Sequence, residues 1–284
     1  MTDSASMVSV LFGLGAALAW GVGDFSGGVA SRRVPVFIVL LFSQIAGVLG
    51  LLALAAATGE RQLTLANALV GACAGISGSI GLLALYSAMA RGFISLVAPL
   101  TSVVGTAIPV LFAVFTEGLP GTMTILGFLL ALAGIWLISR PGGTDRATPS
   151  QALALAVGGG IGFGLLYIFM GQIEGEGIYL PLSAARFTTI TLTVLYLLKR
   201  RQLQPPPARV LPIIILSGIV DAAGNAFFVL SEQAGRLDIT TVLSSLYPVV
   251  TVGLAVVALK ERLQRAQGIG VLLILFAIPL IALV

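Results

Sequence analysis

The chain of 284 residues contains no histidine and a single cysteine, Cys73, set in an apolar stretch. Without histidine or a second thiol, disulfides within the chain, the usual metal-ligand sets and any Ser/His/Asp or Cys/His catalytic arrangement are excluded. Charge is equally scarce: Asp, Glu, Lys and Arg make up 9% of residues, against roughly 25% in an ordinary soluble domain. With 58% hydrophobic residues and a mean hydropathy of +1.09, the chain cannot cover a water-facing surface, so its solvent is a bilayer. Runs of alternating polarity, the signature of strands, are missing too. No polar stretch is long enough for a soluble catalytic or binding domain; the longest are Arg140 to Ser150 and Lys199 to Arg209.

What is present instead is ten apolar stretches, each near the ~20 residues that a helix needs to cross ~30 Å of hydrocarbon. Backbone groups in lipid must be satisfied within their own segment, which predicts helices. The expected spans are 8–29, 36–57, 65–89, 94–115, 121–139, 151–170, 178–198, 210–232, 237–258 and 267–284. The first lacks a basic leading region and an evident cleavage site, so it is read as a retained helix and not a signal peptide. The net charge of +4 and pI near 9.6 do not point to nucleic acid, because the basic residues lie in short loops where membrane proteins place them.

The chain also repeats itself. An offset of 143 superposes Gly15 on Gly158, Gly21 on Gly164, Leu100 on Leu243, Ser102 on Ser245, Gly127 on Gly270 and Leu137 on Leu280. Residues 8–139 and 151–284 are thus two copies of one five-helix unit, joined by a loop at 140–150. Five is odd, so equivalent helices cross in opposite directions. The predicted fold is an all-α polytopic membrane protein with ten transmembrane helices in two inverted five-helix repeats, substrate being expected near the midplane between them.

The residues that carry a family likeness run from Ala16–Gly21 (AALAWG) through Ala84–Gly92 (ALYSAMARG), Ser95–Leu100 (SLVAPL), Pro109, Glu117 and Gly127–Ile138 (GFLLALAGIWLI). The second half repeats the layout in Gly235–Leu243, Tyr247, Pro248, Lys260–Leu263 and Gly268–Ile281. Together they resemble the EamA-type proteins of the drug/metabolite transporter superfamily over nearly the whole chain. The resemblance implies a secondary exporter of small metabolites, commonly amino acids, in a bacterial inner membrane, with both termini inside. Loop charge argues the other way. Twelve Lys and Arg fall in the odd-numbered loops (Arg32, Arg33, Arg91, Arg140, Arg146, Lys199, Arg200, Arg201, Arg209, Lys260, Arg262, Arg265) and two, Arg61 and Arg236, in the even-numbered ones. The positive-inside rule then places both termini outside; the two orientations stay open at this point.

Polar groups inside spans are the candidate site, since an ionisable group there is costly and usually faces a cavity or a partner. Asp221 lies near the middle of the eighth span, with Asn225 one turn later on the same face. It is read as a substrate-ammonium or proton site, or as half of an ion pair that only locks helices. Arg186, in the seventh span, either pairs with Asp221, receives a substrate carboxylate, for which its planar fork is suited, or snorkels to the interface. Asp24 follows Trp20 by one turn, and the repeat offset places Tyr167 and Phe163 at the matching positions of the sixth span. These aromatics either stack on an apolar or cationic substrate or pack the helices. Trp20 falls where the related small multidrug resistance proteins carry a carboxylate, a departure that argues against simple proton/drug antiport. Gln44, Tyr86, Ser43 and Ser79 are polar candidates that equally serve as glue between helices.

The glycine runs Gly71–Gly81 and Gly158–Gly164 lie inside apolar spans. They are read as close-packing sites rather than a phosphate loop, which needs a preceding strand and a solvent-facing turn. Bends are expected near Pro99, Pro109, Pro248 and Pro279, each of which removes a backbone donor. Glu117 and Lys260–Arg262 are read as caps of the helices that follow them. The expected protein is not an enzyme, has no cofactor or metal, and takes a small-molecule substrate in the lipid bilayer. A coupling proton is an allowed partner, nucleic acid is not, and monomer or homo-oligomer is open. Rival readings are a drug or lipid-linked substrate exporter and a non-transporting membrane sensor or assembly subunit.

Overall fold

The computed structural model describes residues 3–90, 94–138, 150–175, 177–259 and 265–282, and these residues form helices and short connections without a strand. In chain order the helices are α1 (Asp3–Ser31), α2 (Val36–Thr58), α3 (Leu65–Ala90), α4 (Ile94–Glu117), α5 (Thr122–Ile138), α6 (Ser150–Met170), α7 (Tyr179–Arg200), α8 (Leu211–Ala234), α9 (Leu237–Ser244), α10 (Tyr247–Leu259) and α11 (Arg265–Ala282). Arg91, Arg140, Arg146, Lys260, Glu261 and Arg262 lie outside the described residues, as does the connecting loop up to residue 149. Five helical segments are long and apolar enough to cross a membrane: Met7–Ser31, Val36–Thr58, Leu65–Ser87, Tyr179–Arg200 and Leu211–Ala234. Thr101–Glu117, Thr122–Leu137, Ala154–Met170, Leu237–Thr251 and Gly268–Ala277 are shorter apolar helical stretches.

Local chemistry sets where helices stop. After α2, Gly59 adopts φ 75°, and its N–H turns back to the carbonyls of Ala55 and Ala56, the left-handed cap that glycine makes cheaply. The expected ninth span is two helices. Leu246 N–H bonds three residues back to Leu243, and Pro248 cannot donate to the carbonyl four residues before it, so the chain breaks at Ser245 and Leu246. The bends expected at Pro99, Pro109 and Pro279 are not breaks: α4 and α11 run on through them.

The exterior is unlike that of a soluble protein, and polar groups are buried among the apolar core. Large apolar side chains such as Leu11, Leu49, Leu69, Leu111, Leu129, Leu195 and Phe276 point outward, while Ser43, Gln44, Ser79, Thr106, Arg186 and Thr189 are buried. Lipid tails reward no further burial of Leu, so helix contact rests on close approach of small residues and on hydrogen bonds between helices. Thr106 Oγ1 to Ser245 Oγ (2.7 Å) and Ser79 Oγ to Thr189 Oγ1 (3.0 Å) are such bonds.

The main helix contacts cross between the two halves, and they come in matched pairs. α1 packs along α8 as α6 packs along α3; α1 meets α9 and α10 as α6 meets α4; α2 lies on α8 as α7 lies on α3. α2 with α7, α4 with α9 and α5 with α11 pair with their own counterparts. Contacts within one half are sparse by comparison. The two sequence units therefore interleave, and neither has an interior without the other.

Candidate functional site

Where the interleaved helices meet, side chains of α1, α2, α3, α6, α7, α8 and α10 line a central cavity holding about 560 Å³ of empty space, its open part included. Eight of the eleven sequence candidates line it: Trp20, Asp24, Gln44, Phe163, Tyr167, Arg186, Asp221 and Asn225. Tyr86 does not. Its side chain is buried with the hydroxyl against Gly27 and beside Ser217, next to the cavity but not in its wall. Ser43 and Ser79 do not line it either; they are buried, bonded to Leu40 and to Gly75 and Thr189 respectively. Thr189, Leu166 and Tyr247 line the cavity as well; of these the sequence marks only Tyr247, and that as part of the family pattern. Thr189 falls one turn from Arg186, a spacing that could have marked it.

Arg186 is the centre of the polar side. It is 2% exposed. Its Nη2 donates to Asp221 Oδ2 at 2.8 Å and its Nη1 to Gln44 Oε1 at 2.9 Å, while its Nε–H has no hydrogen-bond partner. The edge of the guanidinium that carries Nε and Nη2, the one suited to a bidentate carboxylate, is therefore only half used. Asp24 is 8% exposed and lines the same cavity, yet no hydrogen bond or ion pair joins it to the described residues.

The apolar side is aromatic. Trp20 and Tyr167 stack with ring centroids 5.4 Å apart, and Phe228 closes the group at 5.2 Å from Tyr167 and 5.7 Å from Trp20. Trp20 Nε1 donates to Asn225 Oδ1 at 2.9 Å, which fixes the indole across the α1/α8 contact. Glycine makes this possible: a Cβ at Gly224 would strike the Trp20 indole, and one at Gly81 would strike the Phe163 ring. These two contacts are repeat equivalents.

At one end of the bundle, polar ties cross between the halves. Arg236 donates to Asp238 through Nε (3.1 Å) and Nη2 (2.9 Å), and to the carbonyls of Glu117 (3.2 Å) and Gly118 (2.8 Å). The hydrogen bonds from Arg236 to Asp238 hold the guanidinium above its ordinary pKa. Glu117 also accepts from Leu237 N–H at 3.4 Å. It thus caps α9 from the other half, where the sequence reading expected it to cap the helix that follows it. Glu60 does the same for α7, accepting from Tyr179 N–H (3.0 Å) and Leu180 N–H (2.8 Å); nothing in the sequence marked it.

An all-helical bundle with large apolar side chains on its exterior, polar groups buried within and a central cavity is an integral, multi-pass membrane protein. Residues 7–140 and 150–283 each match the EamA-like transporter family. The chain belongs to that family, which makes it a membrane transporter of the drug/metabolite transporter superfamily. A 94-residue segment is 31% identical to the uncharacterized protein MJ1333.1 of Methanocaldococcus jannaschii, over 33% of this chain and 69% of that protein. A solved crystal structure shares the fold, with a TM-score of 0.82 over 97% of this chain and 98% of that one at 20% identity.

Proposed function

We propose that the protein exports small zwitterionic metabolites of the amino-acid kind by alternating access, through ten membrane spans arranged as two inverted repeats in a bacterial inner membrane. The observation that carries the reading is Arg186: a buried guanidinium on the cavity wall whose carboxylate-binding edge keeps one N–H unpaired. A substrate carboxylate completes that edge, its cationic end faces the acidic side of the cavity, and its apolar body lies on Trp20 and Tyr167, which Phe228 backs from behind. The swapped helix contacts support alternating access, since a cavity walled by both halves opens to one side or the other as the halves rock. No step of covalent chemistry on the substrate is involved.

The test is counterflow in proteoliposomes loaded with a pool of amino acids, following which labelled members accumulate. Saturable, protein-dependent exchange of a zwitterionic class is expected, with Arg186→Met losing it. Absence of exchange for every amino acid, from protein that elutes as a single folded species, overturns the reading.

A further inference from the structure

Among the described residues, three charged side chains line the cavity: Asp24, Asp221 and Arg186. They are not equivalent. Arg186 and Asp221 form an ion pair at 2.8 Å, so together they are neutral. Asp24 is left over. It lies on α1, and the titratable or charged groups that face it from the neighbouring helices are Tyr86 on α3, Tyr167 on α6, Arg186 on α7, Asp221 on α8 and Tyr247 on α10. The one cation in that set is already bound to Asp221, and α2 contributes the uncharged Gln44.

A lone carboxylate inside a membrane protein, with neither a cation nor a hydrogen-bond donor among the described residues, is among the most expensive groups such an interior can hold. A substrate with no net charge does not remove the imbalance.

We propose that Asp24, and not Asp221, is the residue at which the cavity takes up one monovalent cation, a proton or an alkali ion, and through which transport couples to that cation's gradient. Coupling rests on the transport reading; cation uptake does not. Asp221 then has a positioning role: it holds the Arg186 guanidinium in place while the cavity is empty. Asp24 and Trp20 lie one turn apart on the same face of α1, so the indole is a built-in reporter of the charge state of Asp24.

The chain has two tryptophans, so Trp136→Phe leaves Trp20 as the only indole. The full-length Trp136→Phe protein is placed in lipid nanodiscs and Trp20 emission is followed in two arms. One is a pH titration in sodium-free choline buffer; the other is a sodium chloride titration at fixed alkaline pH with choline chloride as control. A single-step change in one arm is expected, and the arm names the cation. Asp24→Asn abolishes the step, Asp24→Glu keeps it with a shifted midpoint, and the double variant Arg186→Met/Asp221→Leu, which removes the ion pair as a neutral unit, keeps it. A step that survives Asp24→Asn, one lost in the Arg186→Met/Asp221→Leu variant instead, or no step in either arm overturns the proposal. A step without counterflow leaves the cation site standing and removes the transport reading; counterflow without a step does the reverse.

Discussion

Ser102 donates its hydroxyl to the backbone carbonyl of Ser245 at 3.4 Å, and the two residues are 143 positions apart, the same offset that superposes the halves in sequence. Two residues that occupy the same place in each repeat can touch only where the two-fold relation between repeats passes between them. Arg186 and Gln44, 142 apart and joined at 2.9 Å, sit the same way. The difference of one fits their backbones: a Cβ on Gly75 would meet the Ala185 carbonyl, and one on its counterpart Gly218 would meet the Ser43 carbonyl, which pairs Ser43 with Ala185 and so Gln44 with Arg186. The cavity is therefore symmetric in its helices and asymmetric in its chemistry. Where the second repeat has Arg186 and Asp221, the first has Gln44 and Gly78.

Removing one partner of the buried pair leaves the other charged and alone. Arg186→Met is expected to lower stability by about 3–5 kcal/mol, and the double variant Arg186→Met/Asp221→Leu to recover most of the loss. Thermal unfolding of the single and double variants in detergent measures this; equal losses in both would mean the pair contributes nothing as a pair.

Gly218 is the tightest backbone approach between α8 and α2, and a Cβ there runs into the Ser43 carbonyl, whereas Gly50 has open space around it. Gly218→Val is expected to cost at least the ~1–3 kcal/mol typical of overpacking, because backbone and not a flexible side chain must give way. Gly50→Val is expected to be neutral. Yield of monodisperse protein and melting temperature separate the two.

Glu60 satisfies two of the backbone donors that open α7 and faces the positive end of that helix dipole. Glu60→Ala is expected to cost ~1 kcal/mol, as for loss of a helix cap, and Glu60→Gln less, since an amide oxygen still accepts. Hydrogen exchange should rise at residues 177–183 in the alanine variant and stay unchanged around Arg186.

Arg236 ties the start of α9 to the turn after α4. Arg236→Ala is expected to raise hydrogen exchange at residues 117–121 and 235–240 while leaving the mid-bundle contacts of α1 with α8 protected. In the folded protein Asp238 raises the pKa of Arg236, so the stabilisation is complete below the unfolded arginine value and is lost only above it. The difference in melting temperature between wild type and Arg236→Ala should therefore be flat from neutral to mildly alkaline buffer.

Much of the site was legible because the interior of a membrane tolerates few polar groups. Asp24, Arg186 and Asp221 stand out in a chain that is 9% charged, and each lines the cavity. Tyr86 was less legible: an aromatic with a hydroxyl reads the same whether it faces a cavity or packs beside Gly27. Glu60 was illegible, since an acid in a loop gives no sign of which distant helix it caps. Glu117 was read onto the wrong helix because sequence offers only the next one.

Composition, apolar length and the repeat offset determined that this chain is helical, that it lives in lipid and that it is built twice; these follow from local quantities, the transfer of side chains and backbone out of water. What only the tertiary structure decided is which residue answers which. That Asp221 is paired while Asp24 meets no partner among the described residues, that α1 belongs with α8 and not with α2, and that Trp20 is fixed by Asn225 depend on groups dozens to hundreds of positions apart. Their interaction falls off over a few ångströms of space, a distance on which separation along the chain has no bearing.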